Sequence, residues 1–156
     1  MNSLNPAYEN RNPDSLGMLA VRGNELSGAH HIGNYFNVQS GAGANTMRVL
    51  DQITSMEGLA MFNHPGRYWK INKTYIPGSQ SSIEWYQNHY LKYPVLIGME
   101  VFNMADSRYP HDRVLYDELM MRLMPERPVW GFSNDDMHHA PHMFKGYQYM
   151  LMPILC

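Results

Sequence analysis

The sequence predicts a single α/β domain in which short strands alternate with helices, and three observations point to it. The strand-like runs are short and almost continuously apolar, as strands covered on both faces are. Between them lie longer stretches whose apolar residues recur at helical spacing. Pro and Gly fall between these segments as punctuation, with no internal repeat and no low-complexity tract. Such an alternation builds a parallel sheet or a (β/α) barrel, and in both the chemistry gathers at the carboxyl ends of the strands.

Residues 1–16 form a polar segment rich in Asn and Pro, without the basic and apolar regions of a signal peptide. The α/β domain spans 17–156. Gly17 to Arg22 reads as a buried strand, followed at Gly23 by a tight turn bearing Asn24 and Glu25. His31 to Val38 reads as a second short strand, and a Gly/Ser-rich loop leads into a helix over 45–57 carrying Met47, Val49, Leu50, Ile53 and Met56. Leu59 to Phe62 is a strand cut off by Asn63-His64-Pro65-Gly66. Ser81 to Tyr93 forms a helix with Ser81 or Ser82 as N-cap and Ile83, Tyr86, Tyr90 and Leu91 on one side. Val95 to Phe102 is the clearest strand. Asp112 to Met124 is a helix with Leu115, Leu119 and Leu123 in line, and Pro128 to Phe132 and Tyr147 to Leu155 complete the strands. The 14 methionines read as fillers of core gaps. Of Trp69, Tyr75, Trp85 and Tyr86, at least half belong in the core, and the others suit a substrate wall or a partner surface.

Composition excludes several classes of function. With 44% hydrophobic residues the chain can bury a core, and a net charge of −2 without runs of Lys or Arg gives no footprint for nucleic acid or anionic membrane. No segment is long and apolar enough to span a bilayer, so the expectation is a soluble, by default cytoplasmic, protein. The single cysteine, Cys156, rules out a thiolate metal cluster. Any metal must be held by His and carboxylate.

The polar residues obey the strand-end rule: Glu25, His64, Asn103 and Asp135 to His138 each follow an apolar run. In an extended segment Asp136 and His138 point to one face, where a carboxylate oxygen and an imidazole nitrogen suit zinc, manganese or iron. Alone, that pair describes a solvated or capping loop more often than a metal site. His64 before Pro65 is equally a turn histidine, and Glu25 equally a surface carboxylate. His30 and His31 are neighbours, so in a strand only one can face a given site. Glu100, inside an apolar run, needs a cation or donor as partner, whether in a salt bridge or behind a metal ligand. His139 and His142 could serve as ligands too, but as exposed loop histidines they better suit a supporting or inert role.

The motifs Gly23-Asn-Glu-Leu-Ser27, His30-His-Ile-Gly33, Phe62-Asn-His-Pro-Gly66, Gly98-Met-Glu-Val-Phe-Asn103 and Gly131 to His138 together resemble, in order and spacing, the later motifs of the PHP family, the polymerase and histidinol phosphatase domains. The resemblance covers about residues 17 to 155. It implies a distorted (β/α) barrel and hydrolysis of a small phosphorylated substrate by two or three divalent ions, zinc, manganese or iron. Glu25 matches the family's bridging carboxylate, and His31, His64, Asp136 and His138 match further metal ligands. Glu100 and Asn103 match a motif near the site that usually supplies no ligand. His30 or His139 would orient substrate or protonate the leaving group, and Arg67, whose fork fits phosphate, would contact it, with a surface salt bridge as the other reading of Arg67. The family's opening His-x-His strand, which should precede residue 17, has no match in 1–16. The sequence therefore reads as an interior segment holding the later part of such a site. The alternative is an inactive or truncated relative with a binding or structural role. A metal-dependent amidohydrolase is a weaker fit, because the glutamate and His-Pro order suits phosphoesterases better.

Overall fold

Helix boundaries follow side chains that can close a helix end. In the computed structural model, which describes residues 15, 17, 21–39, 45–68, 79–106 and 111–149, helix α1 (Thr46–Ser55) is capped by Asn45, whose side chain accepts from the Arg48 N–H. Helix α2 (Gln80–Lys92) is capped by Ser79, one of whose bonds is from the Ser82 N–H. Helix α3 (Asp112–Leu123) carries an acidic residue in its first turn, where the helix dipole favours it. At the other end of α2, the Arg127 guanidinium donates to the carbonyl of Tyr90, an acceptor that the last helical turn leaves open, and to those of Tyr93, Pro94 and Leu96 beyond the helix.

The strands are β1 (Gly23–Leu26), β2 (Ile32–Tyr35), β3 (Leu59–Phe62), β4 (Leu96–Asn103) and β5 (Trp130–Asn134), paired in that order. β2 is antiparallel to both β1 and β3, whereas β3, β4 and β5 are parallel. The described residues thus form an open mixed sheet with three helices, which overturns the expected (β/α) barrel and the all-parallel sheet. The connection over residues 27–31 is too short for a parallel crossover, so β2 returns antiparallel beside β1.

All three helices pack on one face of the sheet. Val49, Leu50 and Ile53 of α1, Ile83, Tyr86 and Tyr90 of α2, and Leu115, Leu119 and Leu123 of α3 meet Leu26, Ile32, Ala60, Phe62, Leu96 and Met99. Glu25 pairs with Gly33 and Gly33 with Met61, so by strand alternation these residues belong to the opposite face. β4 shifts register between Glu100 and Phe102, an irregularity of the kind that re-aims side chains near sites.

Several sequence expectations shift. The strand expected over 17–22 is replaced by β1 at 23–26, which puts Glu25 within a strand, and residues 18–20 lie outside the described residues. Residues 147–149 are not strand, and 150–155 lie outside the described residues, as do Trp69, Tyr75 and Cys156. Methionine is less a core filler than expected: Met61 and Met99 are buried, but Met47, Met56, Met121, Met124, Met137 and Met143 are exposed, as is Leu91. Tyr86 is core and Trp85 packs partly buried against it. No described helix is long and apolar enough to cross a membrane.

Candidate metal centre

The antiparallel return of β2 brings three chain segments together at one end of the strands. Leu26 pairs with Ile32 and Ile32 with Phe62, so the end of β1, the start of β2 and the end of β3 lie side by side. Glu25, His31 and His64 sit within two residues of those ends, and one ligand atom from each lies within 4.8 Å of the others. His31 Nδ1 is 2.8 Å from Glu25 Oε1 and 3.1 Å from His64 Nε2. The second oxygen of Glu25 accepts from Asn63 Nδ2 at 2.7 Å. Burial alone would raise the Glu25 pKa, but the hydrogen bonds from His31 and Asn63, with the charges of His31 and His64, lower it to about 2. Gly33 keeps this corner open: a Cβ there would stand 2.9 Å from Asn63 Oδ1 and 3.2 Å from both Met61 Cγ and Tyr35 Cε2.

His64 is held from behind. Its backbone is left-handed, with φ 30° and ψ 58°, an uncommon state for the residue before a proline. The turn is pinned on two sides, because the His64 N–H donates to Glu100 Oε2 and the Gly66 N–H donates to Asp112 at the start of α3. His64 Nδ1 lies 3.1 Å from the same Glu100 oxygen, which also accepts from Asn103 Nδ2 at 3.1 Å, while Oε1 accepts from Asn134 Nδ2 at 2.7 Å. His64 and Glu100 are 2% and 3% exposed, so this carboxylate spends its charge on protein donors alone. Burial acts to lower the His64 pKa, but the hydrogen bond and charge of Glu100, with Glu25 and Asp136 beyond, raise it overall. A proton on Nδ1 facing Glu100 leaves the Nε2 lone pair aimed at His31, the carboxylate–histidine relay that orients metal-ligating imidazoles.

The donor set fits a divalent ion. His31 Nδ1 can carry only one proton, yet it faces a carboxylate oxygen and, in the neutral tautomer above, a lone pair. Acceptors outnumber donors, and a cation among them satisfies all three. Two imidazole nitrogens and one carboxylate match the ligands of zinc, manganese and ferrous iron, and a site with three protein ligands keeps a position open for water or substrate.

No family model, curated protein or solved structure matches this chain. The resemblance to the PHP family therefore stands on the motifs alone.

The remaining sequence candidates lie apart from the three-ligand group. Asp136 is close enough for its charge to act on His64 but is not among the converging ligands. Its φ of 46° breaks the extended geometry that would put Asp136 and His138 on one face. His138 is 65% exposed, with Nδ1 2.8 Å from the Asp136 carbonyl oxygen and 3.6 Å from its carboxylate. His139 is exposed and packs its ring 5.2 Å from that of His142. Arg67 is exposed, its guanidinium 5.9 Å from the Tyr68 ring centre. His30 turns to the helix-covered face, stacked on Trp85 at 4.3 Å with Thr46 Oγ1 3.3 Å from its Nδ1. Burial, with the charges of His89 and His31, lowers its pKa to about 4, so at neutral pH it is not the charged acid that leaving-group protonation would need. Asn63 and Asn134, which orient Glu25 and Glu100, are absent from the sequence candidates. Their one signal is position, at the ends of β3 and β5.

Proposed function

We propose that the chain holds a divalent metal ion, zinc, manganese or iron, between Glu25, His31 and His64, and that the loaded protein hydrolyses small phosphate esters. The convergence of these three ligands on one point carries the metal assignment. The choice of phosphate esters rests on the motif series that resembles the PHP family. When bound, such an ion lowers the pKa of water and neutralises phosphoryl oxygen charge. Glu25 brings the negative charge that favours the cation, and Asn63 fixes its free oxygen. Glu100 keeps the His64 Nδ1 proton in place so that Nε2 faces the ligand group.

A metal-binding domain without turnover is the second reading. It is favoured by the positions of Asp136 and His138 outside the three-ligand group. Release of phosphate from p-nitrophenyl phosphate by protein reloaded with zinc or manganese separates the two. Turnover that needs added metal and disappears in Glu25→Gln supports hydrolysis. Stoichiometric metal without turnover supports the second reading.

A further inference from the structure

Beside the ligand group lies a cleft of about 240 Å³ lined by His30, Tyr68, Ser81, Ser82, Trp85 and Tyr86. We propose that this cleft receives a planar aromatic group, so that the substrate is the phosphate ester of an aromatic alcohol. The proposal rests on the phosphoesterase reading and names its substrate class.

Three observations carry it. Four of the six lining residues are rings, and aromatic rings prefer the edge-to-face and offset contacts that ring walls supply. Trp85 is packed by His30, stacked at 4.3 Å, and by His89, tilted at 3.9 Å, which fixes the indole in the cleft wall. The volume is below the ~300–1,000 Å³ of clefts that take drug-sized molecules, which limits the occupant to one or two fused rings.

Tyr68 joins the cleft to the candidate metal centre. Its ring centre is 4.7 Å from that of His30 on the cleft side, and 5.8 Å from His31 and 6.4 Å from His64 on the other. A ligand whose ring fills the cleft can therefore turn its polar end past Tyr68 toward the three ligands. The Ser81 and Ser82 hydroxyls offer hydrogen bonds to a ring substituent.

Phenylphosphonate and methylphosphonate share a phosphonate head and differ in the ring, and neither is hydrolysed. Both are titrated into zinc-loaded protein carrying Trp69→Phe and Trp130→Phe, so that Trp85 alone reports by its emission. Phenylphosphonate is expected to bind about tenfold tighter or better. Ser81→Phe, a change at an exposed lining position, is expected to fill the cleft and bring the two within about twofold. Equal affinities, or a ring preference that survives Ser81→Phe, overturn the proposal. Should neither phosphonate bind, p-cresol decides: a saturable change in Trp85 emission, lost in Ser81→Phe, upholds the cleft, and no change overturns it. A ring preference without hydrolysis of phenyl phosphate keeps the cleft and refutes the phosphoesterase reading alone.

Discussion

Glu100→Gln tests the support behind His64. The carboxylate is 3% exposed and accepts from the His64 N–H, His64 Nδ1, Asn103 and Asn134. Glutamine keeps the shape but turns one oxygen into a donor, which best faces Asn134, whose amide can rotate to accept. The three remaining bonds change from charge-assisted to neutral, a loss of about 1 kcal/mol each on general values. Relief from burying an ionised carboxylate offsets part of this, so the net destabilisation is expected at about 1–3 kcal/mol. Supporting partners of metal-bound histidines are worth about 10–100-fold in affinity. The variant is therefore expected to bind zinc at least tenfold more weakly, measured by competition with a chromophoric chelator, and to unfold at lower urea when metal-free. Zinc affinity within twofold of the parent would refute the role given to Glu100.

Other outcomes follow from the same geometry. In metal-free protein His64, with its raised pKa, contributes stability that is complete below its ordinary value of 6.5 and is lost as pH climbs through the higher folded value. Glu25 acts in the opposite sense, its contribution being present above 4.5 and lost as pH falls toward about 2, so the urea midpoint should decline on both sides. Zinc affinity should instead rise with pH as His64 gives up its proton. Gly33→Ala should displace Asn63 from Glu25 and weaken zinc binding severalfold, with a modest stability cost of about 1–3 kcal/mol read by thermal unfolding. His138→Ala should leave zinc affinity within twofold, because that ring is exposed outside the three-ligand group. A loss of tenfold or more would show that the site extends to His138.

Helices and central strands were legible because their signals are local. Leu115, Leu119 and Leu123 are spaced to share a face, and all three are buried. β3 occupies the expected residues 59–62, because Asn63-His64-Pro65-Gly66 stops it there. Strand direction was not legible, since an apolar run reads alike in parallel and antiparallel sheets. The first strand lies later than its apolar signal for a related reason: pairing with β2 selects the mixed residues Gly23–Leu26 over the more apolar run before them. At the site, His30 and His31 serve different surroundings, one against Trp85 and the other in the ligand group, although both precede β2 and the strand rule does not apply to them. Glu100 is marked by its carboxylate in an apolar run, but three of its four donors come from the distant His64 and Asn134, and only Asn103 lies on its own strand. The spacing of Asp136 and His138 puts them on one face only where the chain is extended, and Asp136 is left-handed.

The most direct test of the Glu25–His31–His64 centre is zinc content after equilibrium dialysis, with folding checked by circular dichroism. The parent chain is expected to retain about one ion, while Glu25→Gln and His31→Ala, both at half-buried positions, stay folded and retain far less. A parent chain without bound metal, or folded variants that keep it, would contradict the assignment.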